Sequence, residues 1–125
     1  MLDLLAEPPL PVQVISFDVA QLSALLAVDI PAGKHLPQSF TISVARLDQV
    51  HADISGNKWF KLKFNLVNAM NLGADAVLSF GGAWSNHLHA LAAAGHALGI
   101  PTIGMVRGEV GPQLTPTLED CRHWG

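Results

Sequence analysis

From residue 40 onward, short runs of β-branched and other apolar residues alternate with longer segments whose apolar positions recur every three or four residues. The short runs are typical of buried strands, and the longer segments are typical of helices. The predicted strands are 40–45, 76–80 and 102–106, and the predicted helices are 58–72, 85–98 and a last one that begins after Thr115. Strands that alternate with helices of this length indicate βαβ units. The predicted fold is therefore α/β, a parallel sheet with flanking helices.

The N-terminal part of the chain lacks this regularity. Residues 1–39 are interrupted by five prolines and show weak periodicity, which predicts an extended or irregular segment. Asp18 is placed to cap one short helix within it. The apolar face of that helix would comprise Leu22, Leu25 and Leu26. We therefore expect two parts, the segment 1–39 and a partial α/β domain over 40–125 that is truncated at its C-terminus.

The composition narrows the classes of function. Half of the 125 residues are hydrophobic and 14% are charged, which favours a packed core over disorder. The net charge of −3, without any basic stripe, gives no reason to expect a nucleic-acid partner. No apolar run approaches the roughly 20 residues needed to span a bilayer, and no export signal opens the chain. The single Cys121 fits a reducing compartment, so we expect a cytoplasmic protein that contacts no membrane.

Three lysines at the start of the predicted helix 58–72 are the most informative polar residues. Lys58, Lys61 and Lys63 fall in its first two turns, just after Gly56 and the predicted capping residue Asn57. A helix N-terminus carries a positive partial charge and unsatisfied N–H groups, so it disfavours cations and attracts anions. We expect the arrangement to be stable if an anion binds there, or if the Lys58 amine stays neutral and reactive. A phosphorylated aldehyde cofactor held by a lysine meets both needs.

The remaining positions of this helix predict its orientation. One face carries the polar stripe Lys58, Lys61, Asn65 and Asn68. The other faces are apolar and include Phe60, Phe64 and Met70, which predicts a helix that is buried nearly all round. Lys63 points away from the stripe and is expected to be solvated. The competing interpretation is an ordinary amphipathic helix whose polar stripe faces water.

A second chemically informative segment follows the predicted strand 76–80. The strand runs into Gly81 and Gly82, and the polar residues Ser85, Asn86 and His87 then open the next helix. Paired glycines permit the close approach of a ligand to the backbone, and the N–H groups at a helix start can hold a carboxylate or a phosphate. The competing interpretation is that Ser85 or Asn86 simply caps the helix.

Other kinds of site are not indicated. The six histidines show no paired spacing typical of metal ligands, so no metal is expected. Ala83 and His87 stand two positions either side of Ser85, whereas a hydrolase nucleophile elbow requires glycine at both. Neither the dinucleotide-binding fingerprint nor the P-loop pattern occurs.

Three stretches of the chain together resemble a known enzyme family. They are 45–48 (ARLD), 54–62 (ISGNKWFKL) and 80–87 (FGGAWSNH). They resemble the N-terminal part of the pyridoxal-phosphate enzymes of the 1-aminocyclopropane-1-carboxylate deaminase / D-cysteine desulfhydrase family. The similarity covers about residues 40–108, and two ordered motifs at the expected separation make it specific. The resemblance implies the tryptophan synthase β-subunit-like fold, fold type II of pyridoxal-phosphate enzymes.

The resemblance also implies a role for each matching residue. Lys58 matches the lysine that holds pyridoxal 5′-phosphate covalently through its aldehyde, and Lys61 matches a lysine that helps to hold the cofactor phosphate. Ser85 matches a serine beside the substrate carboxylate and the reacting carbon, so it is the second candidate catalytic residue after Lys58. Asn86 matches the asparagine that bonds the O3′ oxygen of the cofactor ring. His87 supports this loop, and with Ser85 and Asn86 it is expected to contact substrate.

These matches imply the N-terminal fragment of a deaminase or lyase that releases ammonia and a 2-oxo acid, or sulfide from a cysteine. The expected substrate is a small amino acid, 1-aminocyclopropane-1-carboxylate or D-cysteine. The full-length relatives are expected to be homodimers, and the 125-residue chain alone is expected to be inactive. Two alternatives stay open. The chain is a non-catalytic anion-binding module in which Lys58 and Lys61 clamp a phosphate, or it is a degenerate remnant that acts by association with a longer homologue.

Overall fold

The structure is a computed structural model, and it describes residues 8–27, 29, 31, 35–54, 56–109 and 111–125. The elements are β1 (Val12–Asp18), α1 (Val19–Leu26), β2 (Ser39–Ala45), a 3-10 turn (Leu47–Gln49), α2 (Lys58–Asn71), β3 (Val77–Gly82), α3 (Asn86–Leu98), β4 (Thr102–Arg107) and α4 (Pro116–Trp124). They fall into two compact units. One unit is Pro11–Arg46, and the other is Leu47–Gly125 together with the described part of the first ten residues.

The unit Pro11–Arg46 is a hairpin-like pair of strands with one short helix. β1 and β2 pair antiparallel over their whole lengths, from Val12 opposite Ala45 to Asp18 opposite Ser39. The predicted cap of α1 is confirmed, since the Asp18 carboxylate accepts the Gln21 N–H at 3.0 Å. This bond satisfies one of the orphan donors at the helix start and fixes the change of direction from β1 into α1.

The pairing of β2 corrects the sequence-based prediction in one respect. A strand near 40–45 is present, but it pairs antiparallel with β1 and does not add a third strand to a parallel sheet. Local periodicity in the proline-rich N-terminal part had not indicated β1. The Phe17 and Phe40 rings stack across the two strands with centroids 5.1 Å apart, a contact between residues far apart in sequence. Such pairing is decided by cross-strand contacts that a local pattern does not contain.

The unit Leu47–Gly125 contains the predicted βαβ arrangement. β3 and β4 are parallel, with Val77 opposite Thr102 and Gly82 opposite Arg107, and α3 is the crossover between them. The α3 sequence is rich in alanine, and its middle, residues 90–95, is buried. A Cβ added to Gly95 would lie 2.2 Å from Thr102 Cγ2. Small residues therefore let α3 lie directly on β4.

The core of this unit joins the first half of α2 to α3. Its buried members are Ile54, Trp59, Leu62, Leu66, Ala90, Leu91, Ala93 and Ala94. Leu66 and Ala94 are fully buried, and Trp59 is 5% exposed. Burying a leucine or a larger side chain contributes roughly 1.5–3 kcal/mol relative to exposing it. The start of α2, where Lys58 lies, is consequently anchored by the residues that directly follow it.

The orientation of α2 differs from the prediction. The buried residues Trp59, Leu62, Lys63 and Leu66 follow the spacing i, i+3, i+4, i+7, which is one helical face. Phe60, Phe64 and Met70 are exposed, so the prediction of a helix buried nearly all round is wrong. The prediction that Lys63 is solvated is also wrong, because its side chain is 8% exposed and shares the buried face. The Lys63 ammonium lies 5.5 Å from the centre of the Phe64 ring.

Candidate functional site

The turn that leads into α2 is shaped by Gly56 and Asn57. Gly56 has φ of +64°, a conformation that favours glycine, and its N–H donates to the Leu47 carbonyl at 3.0 Å. Asn57 is the N-cap residue as predicted, but its side chain makes no capping bond. Its Oδ1 instead accepts a hydrogen bond from Lys58 Nζ at 2.7 Å. The first N–H groups of α2 are therefore not closed by the Asn57 side chain and can face an anion.

The two lysines of the predicted polar stripe lie at this helix start. Lys58 is half-buried and Lys61 is exposed. The stripe continues with Asn65, whose Nδ2 donates to the Lys61 carbonyl at 2.8 Å. The Lys58 and Lys61 side chains and the uncapped N–H groups at the start of α2 together favour a ligand that carries a negative charge.

The turn between β3 and α3 places the second group of predicted residues. Ser85 is the N-cap of α3, where its Oγ accepts the Leu88 N–H at 3.3 Å and its own N–H donates to the Gly82 carbonyl at 3.0 Å. Capping is therefore one function that the structure gives to Ser85. The hydroxyl hydrogen can still be donated to a ligand, because a serine oxygen accepts and donates at once.

The two glycines before this turn have different functions. A Cβ at Gly81 would lie 2.5 Å from Ser85 Oγ and 2.8 Å from Leu88 Cγ, so Gly81 is needed for the helix start to pack on the strand. A Cβ at Gly82 would meet no described atom within 4 Å, so the backbone there is open to the approach of a ligand. The turn is also tied to α4, since the Thr115 hydroxyl donates to the Ala83 carbonyl.

His87 connects the two groups of residues. Its Nε2 lies 2.9 Å from the Ser79 hydroxyl, which holds the imidazole against β3. Burial lowers the pKa of His87 below its ordinary value of 6.5, and the positive charges of Lys58 and Lys61 lower it further. α2 and α3 share one core cluster, and Lys58 and Lys61 at the start of α2 act electrostatically on His87 near the start of α3. Asn86, the first residue of α3, is exposed at the same helix start.

One residue near the site was missed by the sequence analysis. His51 Nδ1 accepts the N–H groups of both Asp53 and Ile54 at 3.1 Å, and its ring stacks on Trp59 with centroids 5.5 Å apart. From the sequence, His51 was considered only as a metal ligand. A sequence signal for this role exists. A side chain that can accept hydrogen bonds stands two and three residues before backbone N–H groups of an irregular loop, a spacing at which such local bonds form.

His89 is a second histidine of α3 whose side chain has a partner in the structure. Its Nε2 lies 3.1 Å from Asp120 Oδ2, and its ring meets Trp124 edge-on with centroids 4.7 Å apart. The hydrogen-bonding capacity of His89 is therefore used in a contact between α3 and α4.

Metal-binding and membrane-spanning features are not found in the described ranges of the chain. In the part of the chain that the structure describes, no group of three or more His, Cys, Asp or Glu side chains could hold a metal ion. No helix among the described residues is long and apolar enough to cross a membrane.

Comparison with curated proteins finds relatives that match part of the chain. The chain is 38% identical over 68 residues to a Pyrococcus abyssi protein named as a candidate 1-aminocyclopropane-1-carboxylate deaminase. The matching segment covers 54% of this chain and 21% of that relative. The chain is 37% identical over 65 residues to the mitochondrial bifunctional D-cysteine desulfhydrase/1-aminocyclopropane-1-carboxylate deaminase of Arabidopsis thaliana, covering 52% and 16%. A Pyrococcus horikoshii protein with the same name as the first is 35% identical over 68 residues, covering 54% and 21%.

These similarities are partial. The chain spans about a fifth of the length of the curated relatives that it matches. No family model matches the chain, and no solved structure matches it.

Proposed function

We propose that this chain supplies the lysine-bearing part of a pyridoxal-phosphate site, in an enzyme that deaminates or desulfurises a small amino acid. The names of the three relatives support 1-aminocyclopropane-1-carboxylate and D-cysteine as the substrate class, with ammonia and a 2-oxo acid or sulfide as products. The observation that carries the proposal is the start of α2, where the Asn57 side chain makes no capping bond and instead accepts a hydrogen bond from Lys58 Nζ. An amine and uncapped N–H groups at one helix start suit a ligand that carries both an aldehyde and a phosphate.

The residues at the start of α2 suit the cofactor end of such a site. Pyridoxal phosphate, when bound, serves as an electron sink for bonds at the α-carbon of the substrate. Lys58 Nζ would hold the cofactor through its aldehyde carbon and, once displaced by the substrate amine, would accept or return a proton at the α-carbon. The Lys61 ammonium would offset the charge of the phosphate.

The residues at the start of α3 suit the substrate end. Asn86 would donate a hydrogen bond to the ring oxygen and hold the ring in the plane required for the reaction. The Ser85 hydroxyl would donate to the substrate carboxylate or move a proton at the reacting carbon, since its capping bond uses only its acceptor capacity. His87, with its lowered pKa, is neutral near pH 7 and adds no third cation beside the two lysines.

The test is the selectivity of covalent attachment. The Lys58 amine adds to the aldehyde of added pyridoxal phosphate and water leaves; borohydride then adds hydride to the carbon of the resulting C=N bond, and the nitrogen takes a proton. Mass spectrometry of digested protein should find the label on Lys58 about tenfold more than on Lys34, because a phosphate held at the start of α2 would bring the aldehyde close to Lys58. Lys61→Ala should raise the pyridoxal phosphate concentration needed for half-labelling while leaving Lys58 the preferred residue. Equal labelling of Lys58 and Lys34 would contradict the proposal.

The anion-binding module is the second candidate, and one contact favours it. Lys58 Nζ donates to Asn57 Oδ1, so the side chain is already held at the helix start by a neighbouring residue. Lys58→Arg separates the two functions, because arginine keeps the charge and cannot condense with an aldehyde. The affinity for pyridoxal phosphate is measured by equilibrium dialysis in competition with inorganic phosphate. If Lys58→Arg keeps the wild-type affinity, the result favours the anion-binding module.

A further inference from the structure

The loop before α2 is organised around His51. Two successive backbone donors, the N–H groups of Asp53 and Ile54, point at the same atom, His51 Nδ1, and each lies 3.1 Å from it. A ring nitrogen can accept two hydrogen bonds only when it carries no proton, so these contacts fix Nδ1 as the acceptor. The imidazole also lies nearly parallel to the Trp59 indole, with 26° between the ring planes.

These contacts lead directly to Lys58. Ile54 is 1% exposed and Trp59 is 5% exposed, so both ends of the segment between them are fixed in the core. Within that segment the Gly56 N–H donates to the Leu47 carbonyl. Lys58 immediately precedes Trp59 and begins α2. The position of the Lys58 backbone is therefore determined by how the loop and Trp59 are held.

Trp59 itself depends on packing for its orientation. Its indole Nε1 is buried and has no hydrogen-bond partner among the described residues. A buried indole without a polar partner is oriented by the shapes of its neighbours, and the parallel His51 ring is one of them. His51 thus contacts the segment at both ends, through hydrogen bonds to Asp53 and Ile54 and through the stack on Trp59.

We propose that His51 is a positioning residue for Lys58, which sets the start of α2 and so the place of the reactive amine. This inference rests on the proposed function, because the place of the amine matters only if Lys58 attacks a bound aldehyde. Misplacing a reacting atom by about 1 Å can cost around a hundredfold in rate. Loss of the two hydrogen bonds from the Asp53 and Ile54 N–H groups to His51 would loosen the loop and leave the rest of the fold intact. For this milder change we expect Lys58 to react about tenfold more slowly with the aldehyde.

Three substitutions separate the contributions of His51. His51→Phe keeps a flat ring for the stack and removes the acceptor. His51→Asn keeps an acceptor oxygen at a similar distance from the backbone and removes the ring. His51→Leu removes both. His123→Phe, at an exposed position of α4, is the matched control for replacing a histidine by phenylalanine.

The measurement is the rate of borohydride-trapped labelling of Lys58 by pyridoxal phosphate, relative to that of Lys34. We expect His51→Phe and His51→Leu to slow the relative labelling of Lys58 about tenfold, and His51→Asn to restore it to within about threefold of the wild type. Hydrogen exchange should quicken at the Asp53 and Ile54 amides in the Phe and Leu variants and not in the Asn variant. Urea unfolding of each variant shows whether the fold is kept, and the Asn variant preserves the test if His51→Leu unfolds.

The outcomes distinguish this inference from the function on which it rests. Wild-type protein that labels Lys58 no faster than Lys34 would overturn the proposed function and this inference with it. Preferential labelling of Lys58 in the wild type that persists unchanged in His51→Phe would overturn the inference alone. A loss in all variants, including His123→Phe, would also overturn it, because the effect would then not belong to His51.

Discussion

At the scale of single residues, the pKa of His87 is a property of the candidate site that can be measured without any ligand. Its pKa is lowered first by burial and then by the charges of Lys58 and Lys61. Removing one lysine leaves the burial and the other lysine in place. The pKa of His87 should therefore rise toward 6.5 in Lys58→Ala and in Lys61→Ala without reaching it. Titration of the His87 ring by NMR measures this, and Lys63→Met, which removes a cation from the buried face of α2, should leave the pKa unchanged.

The same shift makes stability depend on pH. A histidine whose pKa is lowered on folding binds its proton less readily in the folded than in the unfolded chain, so protonation favours unfolding. The contribution of His87 is fully present above its ordinary value of 6.5 and is lost as the pH falls through its lowered folded pKa. Because His87 is one of six histidines, the measurement is a difference between the variant and the wild type. The urea midpoint of His87→Gln should fall less between pH 7.5 and pH 5 than that of the wild type, and an equal fall would contradict the assignment.

The starts of α3 and α4 were predictable because a helix start depends on a local rule. Ser85 caps α3, the alternative that the sequence left open for it, and Thr115 caps α4 at the start predicted for the last helix. His51 was not predictable, because its importance comes from a stack on Trp59 and from the shape of an irregular loop. Neither property is a spacing along the sequence.

At the scale of elements, the contact between α3 and the end of β3 is controlled by the two adjacent glycines. A Cβ on Gly81 would overlap Ser85 Oγ at 2.5 Å and Ser85 Cβ at 2.6 Å, whereas a Cβ on Gly82 would enter open space. Gly81→Ala should therefore lower the free energy of unfolding by about 1–3 kcal/mol, the usual cost of overpacking. Gly82→Ala, the matched control one residue away, should change it by less than about 0.5 kcal/mol. Urea unfolding of both variants measures the difference, and equal stabilities would show that α3 can shift to admit the methyl group.

Helix orientation was harder to predict than helix existence. In α2 the positions 59, 62, 63 and 66 form an unbroken helical face, yet one of them is a lysine. Classifying residues by polarity placed Lys63 in solvent, whereas spacing alone places it on the buried face. Lysine can occupy such a face because its long aliphatic stem packs like an apolar side chain. Polarity also led to the prediction that Phe60 and Phe64 are buried. They are exposed, because only one face of α2 meets the core.

At the scale of the whole molecule, the sequence predicted the α/β class and the parallel pair of strands, and it did not predict the antiparallel pair. The difference follows from the range of the interactions. The β3–α3–β4 unit is continuous in sequence, so its turn glycines, caps and periodicity all lie within about thirty residues. The β1–β2 pair joins residues on either side of α1, and its register depends on contacts such as Phe17 with Phe40.

Among the described residues, one face of the β3–β4 pair is left exposed. Leu78 stands opposite Ile103 and Phe80 opposite Met105, and these four side chains are 47–70% exposed. Parallel sheets are normally covered on both faces, so this one retains a contiguous apolar patch. Four side chains of this size and exposure offer roughly 400 Å², about half of what one partner buries in a standard stable interface.

Such a patch should cause weak self-association and not a tight dimer. Sedimentation velocity over a series of protein concentrations should show a sedimentation coefficient that rises with concentration in the wild type. Phe80→Lys places a charge in the centre of the patch and should abolish the rise, because burying an unpaired ammonium opposes association. Phe64→Lys adds the same charge at an exposed position of α2 outside the patch, so it should leave the rise in place. If both variants suppress association equally, the added net charge and not the uncovered sheet face is responsible, and the patch has no special part in it.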